Sequence, residues 1–126
     1  MEGVALGLRD SLEILNEMKV PAEQLRVTGG GARSASWRQM QADVFGLPLS
    51  LLNMDEGPAF GVALLAGVGA GVYRSVEEAC DATIRVTSVT EPRASRHAQY
   101  CELYEIYRGL YPSLREHFAA VSRLSA

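Results

Sequence analysis

Val27-Thr28-Gly29-Gly30-Gly31-Ala32-Arg33-Ser34 is the stretch that decides how this chain reads. Leu25-Arg26-Val27-Thr28 has the composition of a short strand, and it runs straight into three glycines. Consecutive glycines lose much chain entropy on folding. A strand that ends in them usually needs unusual dihedrals or a close approach to its backbone. Ser34 is placed to cap a helix over Ala35 to Phe45. Trp37, Met40, Val44 and Phe45 form its apolar stripe, Gly46 suits the C′ position, and Pro48 follows. A strand, a glycine loop and a helix start together expose unpaired N–H groups at the positive end of a helix, which suits phosphate or a nucleotide. The same residues also suit a tight strand-to-helix turn with no ligand.

The loop fits neither common phosphate motif. A Walker A loop needs a Gly-Lys pair, and the chain has none. A dinucleotide fingerprint counted from Gly29 would end on Ser34, so its last glycine is missing.

Outward from the loop, residues 4–18 read as an amphipathic helix, with Val4, Leu8, Leu12, Leu15 and Met18 at spacings of three and four. Val20-Pro21 ends it. Residues 48–53 (PLSLLN) give a second strand. Asp55-Glu56-Gly57-Pro58 is a helix-start signal, with carboxylates at the positive end. The helix it opens, Ala59 to about Gly69, is apolar on nearly every side, which predicts burial, with Gly61 and Gly67 admitting a close neighbour. Ser75-Val76-Glu77-Glu78 fits a capping box for a short helix to about Ala82. Residues 83–89 have strand composition. A long helix runs from Ala94 to about Leu110, Pro112 interrupts it, and residues 113–124 continue helically. Helices alternating with strands imply an α/β layered core.

The chain has 126 residues, 48% hydrophobic and 21% charged, with a net charge of −3. This is one domain's worth of ordinary globular sequence. The acidic balance argues against a nucleic-acid partner. The longest uncharged stretch, residues 57–73, falls short of the about 20 apolar residues that span a bilayer, so no membrane partner is expected. Cys80 and Cys101 show no paired spacing, and no signal-peptide pattern follows Met1. A reduced, cytoplasmic chain is expected.

Other residues carry weaker signals. Arg33 beside the loop suits a phosphate contact or simply an exposed helix start. Asp55 and Glu56 read better as helix caps than as a catalytic pair. His97 and His117 have no metal or triad spacing. Tyr100, Tyr104, Tyr107 and Tyr111 share one helical face, more often a packing stripe than a stacking surface. Trp37 and the two cysteines read as core residues.

Gly29 to Leu49 (GGGARSASWRQMQADVFGLPL) resembles the C-terminal nucleotide-binding motif of the FGGY carbohydrate kinases, in particular the xylulokinase branch. Residues 2–15, 56–73 and 100–118 resemble the family's flanking helices in the same order, so the likeness covers nearly the whole chain. The resemblance implies that residues 1–126 are the C-terminal portion of the second domain, a fragment of an actin-like (ribonuclease H-like) ATPase fold. It implies an intact enzyme in which ATP, with Mg²⁺, phosphorylates xylulose to xylulose 5-phosphate. The sugar lies mostly on the first domain, and an aspartate acts as base.

Carried onto this chain, Gly30, Gly31 and Ala32 match the loop that lies against adenosine. Ala35 stands where several members have a nucleotide-holding asparagine. Asp43 matches a motif position with a structural role in its helix. No D-x-G-T phosphate loop, catalytic aspartate segment or sugar domain is present, so no catalytic or metal-binding residue is assigned and the 126 residues are expected to be inactive alone. The expected partners are a nucleotide and the kinase's N-terminal domain, or a second copy. The alternatives are a standalone interaction module, or a kinase portion for ribulose, gluconate or glycerol.

Overall fold

The computed structural model describes residues 1–54 and 57–124. The expected capping role of Asp55 and Glu56 lies outside them. The elements are α1 (Glu2–Glu17), β1 (Leu25–Val27), a 3-10 turn (Gly30–Arg33), α2 (Ala35–Phe45), β2 (Leu49–Leu52), α3 (Gly57–Gly69), α4 (Val76–Thr83), β3 (Val86–Thr90) and α5 (Ala94–Leu124). The mixed α/β architecture is as expected.

The sheet has three strands in the order β1-β2-β3. β1 and β2 run parallel, with Leu25 opposite Leu49 and Val27 opposite Leu51. A parallel pair needs a crossover, and α2 provides it. β3 returns antiparallel to β2, with a register irregularity at Leu51/Leu52. The parallel pairing brings the carboxyl ends of β1 and β2 side by side, which positions the candidate site.

The core lies where α1, α2 and α5 meet. Ala5, Leu6, Val44 and Tyr104 are buried together, with Trp37, Met40, Phe45, Tyr100 and Tyr107 packed against them. Trp37 is thus a core-flanking residue, as expected. Three of the four stripe tyrosines face this core. Tyr100 donates to Glu2 Oε1 at 2.9 Å and Tyr104 to Asp10 Oδ1 at 2.6 Å. Tyr111 leaves it and is 65% exposed.

Asp43 is fully buried and ties α5 to α2. Its carboxylate accepts from Gln39 Nε2 (3.0 Å), the Arg93 backbone N–H (2.8 Å) and Arg93 Nη2 (2.5 Å). Burial alone would raise this carboxyl group's pKa. The hydrogen bonds from Arg93 and Gln39 outweigh burial and hold it below its ordinary value. The structural role expected of Asp43 is therefore concrete: it fixes the entry to α5. One turn on, His97 Nδ1 lies 2.9 Å from the Asp43 carbonyl and so carries the proton. The ring packs against Gly46, which closes α2 in the left-handed region at φ 70°.

Several expectations need correction. Pro112 does not interrupt α5, which runs unbroken from Ala94 to Leu124. A proline removes one backbone donor, but intact turns on both sides can carry the helix past it. Ser113 Oγ also donates to the Gly109 carbonyl at 2.8 Å in the affected turn.

Burial of α3 is overturned as well. It starts at Gly57 rather than Ala59, and only Leu64 is buried, while Val62 and Leu65 are 67% and 59% exposed. The helix packs on α4, and among the described residues Val62 and Leu65 are left largely uncovered. Composition reports a demand for apolar surroundings and says nothing of where they come from. Gly67 does make a close contact, since an added Cβ would lie 3.2 Å from the Tyr73 ring, whereas Gly61 faces open space.

Residues 83–85 belong to the end of α4 and a connection, so β3 begins only at Val86. Cys80 and Cys101 are half-buried rather than buried. Among the described residues no helix is long and apolar enough to cross a membrane.

Candidate nucleotide site at the ends of the parallel strands

The site begins where β1 stops. Gly29 adopts φ 86°, ψ 174°, a conformation open to glycine and costly for other residues. The backbone then closes a single 3-10 turn. Ala32 N–H donates to the Gly29 carbonyl at 3.0 Å, and Ser34 N–H to the Gly31 carbonyl at 3.2 Å. Ala32 points inward and is buried. Arg38, one turn into α2, braces the loop by donating from Nη1 to the Ala32 carbonyl. Ser34 then caps α2, its Oγ accepting from Trp37 N–H at 3.3 Å. This is the cap the sequence predicts.

The three glycines have different standing. Gly29 is explained by its positive φ. Gly30 and Gly31 have no such dihedral. A Cβ added to Gly30 would meet nothing within 4 Å, and one added to Gly31 would meet only the Trp37 ring at an ordinary 3.5 Å. Both are exposed. Among the described residues no contact requires glycine at either position. A bare backbone shelf, bounded on one side by the start of α2, is what remains.

A second segment adjoins it. α3 begins beside the end of β1, where a Cβ on Gly57 would lie 3.1 Å from Thr28 Oγ1. The starts of α2 and α3 therefore flank the carboxyl ends of two parallel strands, the usual place for a ligand in such sheets. Helix starts present free N–H groups and partial positive charge. Ala35, the first residue of α2, is exposed and adds only a methyl group. Arg33 is exposed at the end of the turn.

The structure thus brings Gly30, Gly31, Ala32 and Ala35 into one turn and helix start, with Ala32 facing inward. The Asp43 carboxylate is committed to Arg93 and that of Asp10 to Tyr104. Among the described residues no group of three His, Cys, Asp or Glu side chains is placed to hold a metal ion. Two grooves, of about 470 and 260 Å³, are lined by residues of α1, α2, α5 and the strands, outside the glycine loop. The loop is exposed at Gly30, Gly31 and Ala35.

Sequence inspection missed the Arg38 brace, because nothing in the spacing says which carbonyl an arginine will reach. It also missed the packing of His97 on Gly46, which joins residues distant in sequence.

Comparison with known proteins shows the family of the chain. Residues 1–70 match the C-terminal domain model of the FGGY family of carbohydrate kinases. The chain is 34% identical to a xylulose kinase of Staphylococcus epidermidis over 92% of its own length and 23% of that protein's. It is 36% identical to the L-xylulose/3-keto-L-gulonate kinase of Escherichia coli, over 95% of this chain and 24% of the other. The crystal structure of xylulose kinase from Rhodospirillum rubrum superposes with a TM-score of 0.78 at 29% identity, over 94% of this chain and 24% of that one.

The chain belongs to the FGGY family of carbohydrate kinases and corresponds to its C-terminal portion, with the actin-like ATPase fold of that domain. It spans about a quarter of the length of these relatives.

Proposed function

We propose that residues 1–126 are the nucleotide-holding portion of a xylulokinase-like sugar kinase that converts ATP and xylulose to ADP and xylulose 5-phosphate. One observation supports this: Gly30 and Gly31 are exposed glycines that no dihedral and no contact among the described residues requires. A flat ligand resting on the backbone requires them, since any side chain would hold it off.

In this reading the positive φ of Gly29 turns the chain out of β1. Gly30 and Gly31 lie against adenosine, and Ala32 with Arg38 keeps the turn from collapsing. The starts of α2 and α3 present N–H groups toward the anionic end of the nucleotide. Ala35 supplies no polar group, so adenosine is held by shape and backbone more than by a side chain at that position.

Phosphoryl transfer depends on positioning the phosphates, metal and nucleophile together. In this reading the chain contributes to the first of these. The described residues offer no three-residue cluster for Mg²⁺, so no metal-dependent step is assigned to them. The N-terminal kinase domain is the partner that would supply the sugar site and the second wall of the shelf. Residues 1–126 alone are therefore inactive in this account, and the enzyme is proposed to work in the cytoplasm, where ATP is available.

The sugar is assigned by likeness alone. A relative is named for L-xylulose and 3-keto-L-gulonate, and ribulose, gluconate and glycerol are the alternative substrates. The test is a chimera in which these residues replace the matching C-terminal quarter of the Staphylococcus epidermidis xylulose kinase. ATP-dependent phosphorylation of xylulose by the chimera, and none by residues 1–126, is expected. A folded chimera with no activity toward any of these substrates, or turnover by residues 1–126 alone, would overturn the assignment.

A further inference from the structure

Arg38 is the fourth residue of α2, near the end of the helix that carries partial positive charge. A cation gains nothing from the helix there. Its side chain turns back toward the glycine loop, where Nη1 donates to the carbonyl of the buried Ala32. Nε is buried as well and has no hydrogen-bond partner among the described residues. A buried donor left unpaired costs free energy, and a charge drawn in without a counter-charge costs more. Arg9 and Arg93, which also tie elements together, are compensated by Glu13 at 3.0 Å and by Asp43 at 2.5 Å. Among the described residues no carboxylate pairs with Arg38.

Bracing the turn does not call for a charge. A neutral donor also satisfies a carbonyl, and Ser34 already caps α2 through the Trp37 N–H. A cation whose balance is missing from its surroundings fits an anion supplied from outside them. In the same turn and helix start Gly30, Gly31 and Ala35 are exposed. An anion resting there would meet the free N–H groups of the helix start and, through the backbone of the turn, the uncompensated guanidinium. A charge acting through buried backbone is screened less than one acting through water.

We infer that Arg38 is a positioning residue that makes this site favour phosphate-bearing nucleotides over nucleosides. It holds the turn through the Ala32 carbonyl, and its charge draws the phosphate chain toward the start of α2. The role rests on the nucleotide reading proposed above and adds to it the residue that selects the charged ligand.

Calorimetry on the 126-residue chain with ADP and with adenosine tests this, with helicity followed by circular dichroism. The ratio of the two affinities is the readout, because a brace alone would change both ligands together. Arg38→Lys keeps the charge and a donor, and is expected to keep the wild-type ratio. Arg38→Gln keeps a donor without the charge. It is expected to lower the ratio about tenfold and to make ADP binding less sensitive to salt. The Arg38 Nε–H resonance, assigned by its loss in Arg38→Lys, decides the matter in the wild type if Arg38→Gln fails to fold. It is expected to shift with ADP or inorganic pyrophosphate and to stay in place with adenosine. A ratio unchanged in Arg38→Gln, a ratio that Arg38→Lys also abolishes, or a resonance indifferent to ADP and pyrophosphate would overturn this role and leave the nucleotide reading standing. A wild type that binds neither ADP nor adenosine would overturn both.

Discussion

Replacing Gly31 separates what the fold needs from what a ligand needs. Gly31 has no positive φ, and an added Cβ would touch only the Trp37 ring at 3.5 Å. Gly31→Ala therefore removes unfolded-state entropy without strain, which stabilises a chain by about 0.4–1 kcal/mol. For a domain of this size that raises Tm by roughly 1–5 °C. The same methyl group stands where the adenosine is proposed to lie. Forcing a side chain into an occupied contact costs about 1–3 kcal/mol, roughly 5- to 150-fold in affinity. Gly31→Val should sit at the upper end. Gly29→Ala is the contrast, since its φ of 86° makes any side chain cost about 1–2 kcal/mol in stability. Thermal unfolding and isothermal titration with ADP, on the wild type and the variants, read both quantities. Nucleotide affinity unchanged in a folded Gly31→Val protein would refute the reasoning. So would a Gly31→Ala protein much less stable than wild type, because the glycine would then be explained by the fold.

Three further outcomes follow from the interior. Gly46→Ala should destabilise by about 2–3 kcal/mol in denaturant unfolding, because φ is 70° there and the new Cβ would lie 2.6 Å from His97 Nε2; His97→Ala in the same chain should return part of that loss. Asp43 has a folded pKa below its unfolded value, so its contribution is present above about pH 4 and lost as pH falls through the lower folded value. Asp43→Asn should flatten that acid limb in unfolding curves taken between pH 2 and pH 6, and should lower stability at neutral pH by about 2 kcal/mol. The Tyr104 hydroxyl is pushed up to about 12 by burial, by its hydrogen bond to Asp10 and by the charges of Asp10 and Glu13. A raised folded value means stability is full below the unfolded value of about 10 and falls as pH rises toward 12, a loss that Tyr104→Phe should remove from alkaline unfolding curves.

The elements legible in the sequence were those whose signals are local. Ser34 capped α2 and Gly46 closed it because a cap and a left-handed C′ residue act within one turn. Ser75 caps α4 for the same reason, accepting from Glu78 N–H at 3.2 Å. Pro112 misled because a local rule was outweighed by a long helix on either side. α3 misled for the opposite reason, since its composition describes surroundings that this stretch of chain does not contain. At the site, the loop was legible through its glycines, but their division of labour was not. Only a backbone with dihedrals and neighbours shows that Gly29 serves the turn while Gly30 and Gly31 meet no such demand among the described residues. The links from Asp43 to Arg93 and from Arg9 to the Val44 carbonyl span elements and leave no trace in spacing.

An amide-resolved NMR titration of the 126-residue chain with ATP tests the central claim most directly. The account predicts shifts concentrated at Gly29 to Ala35, reaching Gly57 at the start of α3, with xylulose alone moving none of them. ATP-dependent shifts that spare Gly29 to Ala35 and cluster instead in the α1–α5 groove would contradict it.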